Sequence, residues 1–186
     1  STTKSLPVCR RERVVCMRIL GIDPGTIKTG WGVIELEGSR FRHLGSGTLA
    51  LGRGELSARL AGIYQGIVGV IDEYGPDEAS IERNFLARNV KSAFRLGEGR
   101  GVAMAAAAGR GLPVVEYAPA TIKKAVVGYG RADKNQVQEA VMRMLGLDDK
   151  PDEDAADALA TALCHALSRS WDGKLAVALG AAGAGP

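Results

Sequence analysis

The sequence predicts an α/β domain over residues 17–170, with a mixed five-stranded sheet and helices on both of its faces. Two observations carry this prediction. An apolar run stops at Pro24-Gly25 and is followed by two alternating segments joined at Glu37-Gly38-Ser39, the pattern of three antiparallel strands. Beyond them, segments with helical apolar stripes are separated by two short strand-like pieces, in the order that places helices on both sides of a sheet.

Arg18 to Asp23 reads as a buried strand, and Thr29 to Glu35 and Arg40 to Leu49 as the next two. Leu56 to Tyr74 carries Leu56, Leu60, Ile63, Ile67, Val70 and Ile71 at helical spacing and ends at Gly75-Pro76. Asp77 to Glu82 is a short strand. Val90 to Gly109 reads as a helix despite Gly97, Gly99 and Gly101, because no proline interrupts it and its alanines are strong helix formers. Those glycines suit close approach of another backbone, including one across a dimer interface. Pro113 to Tyr117 is a strand, and Ala120 to Val127 and Lys134 to Leu145 are helices, the second ending at Gly146. Pro151 to Ser168 is the last helix, with Asp152, Glu153 and Asp154 against the positive end of its dipole. This order matches the RNase H-like fold.

Length and composition fit one domain: 186 residues, 46% hydrophobic, with few aromatics. The run from Val102 to Ala108 is too short to span a bilayer, so no membrane association is expected. Cys9, Cys16 and Cys164 show no metal-ligand spacing, and a reducing cytoplasm is the simplest setting. Residues 1–16 read as an N-terminal extension or expression remnant without fixed structure, and residues 171–186 as a disordered Gly/Ala-rich tail.

The net charge of +3 comes from the first residues, where Lys4, Arg10, Arg11 and Arg13 oppose Glu12, so the segment from Met17 to Arg169 is neutral. Charge is nevertheless segregated: ten basic residues stand against three acidic ones between Arg83 and Lys134, while acids cluster in the flanks, including Asp148 to Asp157. Such a distribution suits a protein that grips phosphates with one surface and cations with another; a solvated helix face would also produce it.

Four carboxylates stand out. Asp23 and Glu82 each end a strand, and Asp154 and Asp157 lie three apart on one helical face. Singly, each has a structural explanation: Asp23 as a turn starter, Glu82 as a surface strand end, and the two helical acids as partners of the helix dipole. Together they would repel strongly in a partly desolvated cleft unless cations neutralised them. Oxygen ligands without His or Cys suit Mg²⁺ or Mn²⁺, and two such ions roughly 4 Å apart support phosphodiester hydrolysis.

The stretches ILGIDPGTIKTGWGVIE (Ile19 to Glu35), IERNF (Ile81 to Phe85), LGEGRGV (Leu96 to Val102), VVGYGRADKNQV (Val126 to Val137) and DAADALA (Asp154 to Ala160) resemble the RuvC family of Holliday junction resolvases, over nearly all of Met17 to Ser168. The resemblance implies a homodimer that binds a four-way DNA junction and nicks two strands of like polarity symmetrically, in homologous recombination and repair. It implies that Asp23, Glu82, Asp154 and Asp157 are the catalytic metal ligands; among relatives the fourth position varies between Asp and His. It implies two Mg²⁺ per active site, with Mn²⁺ able to substitute. By the same resemblance Phe85 is an aromatic wedge at the crossover, although its pattern also suits a core residue of the following helix. Lys123 and Lys134 are basic positions near the scissile phosphate, and Arg83 and Asn84 stand where junction-reading residues fall. RuvA and RuvB, the branch-migration proteins, are partners by family alone. His43 and His165 read as isolated structural residues.

Two other classes compete. Sugar kinases and actin-like ATPases share a similar first hairpin but need two such domains to clasp ATP. A junction-binding module without catalysis would be hindered by four clustered carboxylates, which repel DNA.

Overall fold

The computed structural model describes residues 16–83 and 90–182. Its elements are β1 (Cys16–Asp23), β2 (Lys28–Glu37), β3 (Arg40–Ala50), α1 (Leu56–Tyr74), β4 (Glu78–Glu82), α2 (Val90–Gly109), β5 (Val114–Tyr117), α3 (Pro119–Val127), α4 (Lys134–Leu145) and α5 (Glu153–Ala182). The sheet order is β3-β2-β1-β4-β5, antiparallel from β3 to β1 and parallel from β1 to β5. This is the mixed sheet expected, in the RNase H-like arrangement.

The sheet is covered on both faces, which is why β1 is apolar and buried from Ile19 to Ile22 rather than alternating. Leu20, Ile22, Val33, Ala79 and Ile81 pack with Ile63 and Ile67 of α1 and Ala103, Ala106 and Ala107 of α2. Ile19, Ile34 and Leu36 pack on the opposite face with α3, α4 and α5, through Ile122, Val141, Leu159 and Leu163. Turning from β2 to β3 is eased by Gly38, which takes a left-handed φ of 62°.

Two expectations need correction. α5 was expected to stop at Ser168, with an unstructured tail from residue 171; the helix instead continues to Ala182. The physical reason is local: residues 172–182 are rich in alanine and leucine, and the next proline is Pro186, so nothing breaks the hydrogen-bond ladder. The glycines of α2 do not act alike. A Cβ on Gly99 would press on the Thr26 methyl at 3.0 Å, whereas Gly97 and Gly101 face open space. Only Gly99 thus serves close packing within the chain, against the β1–β2 turn.

No helix among the described residues is long and apolar enough to cross a membrane. Cys16 is exposed and Cys164 buried, and both are free thiols.

Candidate active site

Parallel pairing of β1 with β4 sets Ile22 opposite Ile81, so Asp23 and Glu82, the next residue of each strand, finish side by side at the carboxyl end of the sheet. Alternation along the strands decides their direction. Ile22 and Ile81 point into the α1–α2 layer, so Asp23 and Glu82 point to the face covered by α5.

Three glycines bring α5 down onto that face. A methyl carbon on Gly21 of β1 would collide with the Ala158 carbonyl oxygen, and one on Gly30 of β2 would collide with the Asp154 carbonyl. One on Gly32 would meet the Leu159 side chain at 2.6 Å. The helix backbone therefore rests directly on the strands, and Gly30 is the residue paired with Asp23. Consequently the first turns of α5, with Asp154 and Asp157, lie over the end of β1. Buried Ala155, Ala156, Ala158 and Leu159 flank Asp157 on the helix, which anchors its position.

Asp23, Glu82 and Asp157 line one cavity of about 450 Å³ together with Pro119, Ile122, Lys123, Lys134, Val137 and Ala160. Pro119, Ile122 and Lys123 share one face of α3, at three- and four-residue spacing. Lys134 is the first residue of α4, whose start is held by a capping box: Asp133 Oδ1 accepts from the Gln136 N–H at 2.9 Å, and Gln136 Oε1 accepts from the Asp133 N–H at 2.9 Å. Asp154 stands beside the cavity, where Lys28 Nζ lies 3.8 Å from its Oδ2. Lys134 also pairs with Glu153.

Electrostatics set these carboxylates apart from surface acids. The Asp23 carboxyl is pushed up to about 7, first by burial and then by repulsion from Glu82, Asp157 and Asp154, with Lys134 opposing. Burial also raises Glu82, followed by repulsion from Asp157, while Lys123 and Lys134 lower it. Asp157 is raised by burial above all, with Lys134 and Lys123 opposing and Asp154 adding to the rise. Among the described residues no three Asp, Glu, His or Cys side chains converge closely enough to coordinate an ion as they lie. Mutual repulsion is a physical reason for like charges to stand around a cavity rather than close on one point. The fit to hard divalent cations rests instead on the donors: the cavity is lined by carboxylates with neither thiolate nor imidazole, and its acids are destabilised by negative charge that a cation would offset.

The sequence-predicted residues therefore divide. Asp23, Glu82, Asp157, Lys123 and Lys134 share one cavity, with Asp154 alongside. Arg83 is exposed and extends the sheet through its N–H, which donates to the Tyr117 carbonyl at 2.8 Å. Asn84 and Phe85 lie outside the described residues.

Sequence reasoning missed two features. Lys28 had no assigned role, and its position in the motif segment ending at Glu35 was the one available signal. His165 is not isolated: its Nε2 donates to Glu78 Oε2 at 2.5 Å, and Tyr117 O–H donates to its Nδ1 at 2.8 Å. A carboxylate can only accept, which fixes these roles for a neutral ring. Arg169 completes the group by pairing with Glu78.

A family model described as crossover junction endodeoxyribonuclease RuvC matches residues 19–165. The chain is 51% identical to the crossover junction endodeoxyribonuclease RuvC of Histophilus somni over 150 residues, covering 81% of this chain and 79% of that relative. It is 48% identical to the protein of the same description from Magnetococcus marinus, covering 83% and 87%. Among solved structures it is similar to T. thermophilus RuvC in complex with Holliday junction substrate, with a TM-score of 0.79 and 31% identity over 84% of this chain and 96% of that one. A yeast mitochondrial Holliday junction resolvase, at a TM-score of 0.58 and 13% identity over 84% and 82% of the two chains, shares the fold.

Proposed function

Because the chain belongs to the RuvC family of crossover junction endodeoxyribonucleases, we propose that it resolves four-way DNA junctions by metal-dependent phosphodiester hydrolysis at Asp23, Glu82, Asp154 and Asp157. One observation carries the site assignment: acids from β1, β4 and α5 meet around one cavity whose rim bears Lys123 and Lys134. In this reading the four carboxylates hold two Mg²⁺ ions, replaceable by Mn²⁺. Such ions supply Lewis acidity to in-line attack of water on phosphorus as the P–O3′ bond breaks.

The chain's own groups bind and position the substrate. Lys123 and Lys134 place ammonium groups at the mouth of the cavity, where they draw a phosphate toward the acids and oppose their repulsion of DNA. The walls at Pro119, Ile122, Val137 and Ala160 are apolar, which restricts how the strand can sit. Phe85, Arg83 and Asn84 are assigned to the crossover. Symmetric nicking of two strands requires two active sites related by a two-fold axis, hence a homodimer. The exposed face of α2 supports it: Phe94 is 70% exposed beside Ala93 and Gly97. Cooperation with RuvA and RuvB and a cytoplasmic location complete this reading.

The test incubates the protein with an immobile synthetic four-way junction and a linear duplex of equal length, with and without Mg²⁺. Paired nicks confined to the junction and to the Mg²⁺ arm are expected. Asp154→Asn should retain junction binding while losing cleavage; loss of both would make Asp154 structural, and cutting of the duplex at equal rate would overturn junction selectivity.

A further inference from the structure

The turn between β1 and β2 gathers positive charge that the reaction above does not use. Gly25, Thr26, Ile27 and Lys28 form one wall of a groove of about 410 Å³, and Ser92, Arg95 and Leu96 of α2 form the other. Among the described residues no acid lines it. The groove adjoins the candidate active site, since Lys28 lies on its wall and also reaches Asp154.

Behind the turn sits Arg59 of α1, only 5% exposed. Its Nη1 donates to the Thr26 carbonyl at 3.0 Å and to the Thr26 hydroxyl at 3.3 Å. Its Nε has no hydrogen-bond partner, and no carboxylate pairs with the guanidinium among the described residues. A buried guanidinium is costly to hold without a compensating anion. Here its charge lies behind Thr26, a lining residue of the groove that Lys28 and Arg95 also line. Two cations lining the groove and a third behind its wall, with no acid among the described lining residues and a cavity suited to phosphodiester chemistry alongside, specify an anion of backbone-phosphate character.

We propose that this groove seats a DNA backbone phosphate neighbouring the scissile one. Lys28 and Arg95 contact its oxygens, and Arg59 strengthens the local potential through Thr26. The seat rests on the nuclease reading and deepens it: Lys28 links the two sites, being held by Asp154 in the free protein and shared with the phosphate in the complex.

The test measures equilibrium binding of a fluorescently labelled immobile junction in EDTA across about 50–200 mM salt. Lys28→Gln, Arg95→Gln and the double variant are compared with wild type and with Lys150→Gln, an exposed lysine on the α4–α5 connection. Lys28 and Arg95 are exposed, so their replacement leaves the core intact. Each single variant should lower the slope of log affinity against log salt by about 0.9, and the double variant by about 1.8, with Lys150→Gln unchanged. An unchanged slope in the double variant, or an equal fall in Lys150→Gln, overturns the seat. If wild type still nicks the junction in Mg²⁺ when that happens, the nuclease reading stands without it. Should wild type fail to bind the junction at all, both readings fall.

Discussion

Replacing Asp23 by Asn should stabilise the protein in chelator while abolishing cleavage, and the gain should depend on pH in a defined direction. The Asp23 carboxyl titrates at about 7 in the fold against 3.8 for an ordinary aspartate. Between those values the folded state holds a proton that the unfolded chain has released, so stability is full below about 3.8 and is lost as pH rises through about 7. At about 1.36 kcal/mol per pH unit, the loss above pH 7 is about 4 kcal/mol. Asn keeps the shape and discards the charge, and therefore recovers most of that energy at pH 8 and almost none at pH 4. Glu82 and Asp157 are shifted in the same direction, so the variant keeps a weaker downward slope of its own. The assay is urea unfolding in EDTA at intervals from pH 4 to 8.5, with junction cleavage in Mg²⁺ alongside. Divalent cation should narrow the gap, because a ligand at 100 times its dissociation constant adds about 2.7 kcal/mol to wild type alone, less than the gain from Asn at pH 8. A flat wild-type curve over this range, with no gain from Asn at pH 8, would refute the idea that Asp23 is buried against its fellow acids.

Gly30→Ala places a methyl against the Asp154 backbone, so the start of α5 must lift. A cost of about 1–3 kcal/mol in urea unfolding and a fall of about 100-fold in single-turnover cleavage are expected, with junction binding in EDTA retained; wild-type cleavage would mean that the helix start is not positioned by this contact. Phe85→Ala should slow junction cleavage by about 5- to 150-fold, the equivalent of one lost stacking contact, while Mg²⁺ still raises its melting temperature as in wild type. Unimpaired cleavage would remove Phe85 from the crossover.

Much of the architecture was legible because each element carries a local signature. Leu56 to Tyr74 has a helical stripe, the run before Pro24 has a strand's continuous apolarity, and Gly146 ends α4. The end of α5 was misread because composition alone was weighed there: a Gly/Ala-rich segment looks poor in core residues, yet it contains nothing that stops a helix already under way. His165 was misread for a different reason. Its partners Glu78 and Tyr117 are 87 and 48 residues distant, and no spacing rule connects them.

The sequence by itself determined which acids end strands and which share a helical face, because those properties follow from the periods of strand and helix. Only the tertiary structure decided that they face one cavity. That outcome depends on β1 pairing parallel to β4 in one particular register, and on Gly21, Gly30 and Gly32 letting α5 settle onto the sheet. The pairing of Lys28 with Asp154 and the burial of Arg59 behind Thr26 belong to the same level. Distances between residues remote in the chain are set by how whole elements pack, and local patterning carries no record of them.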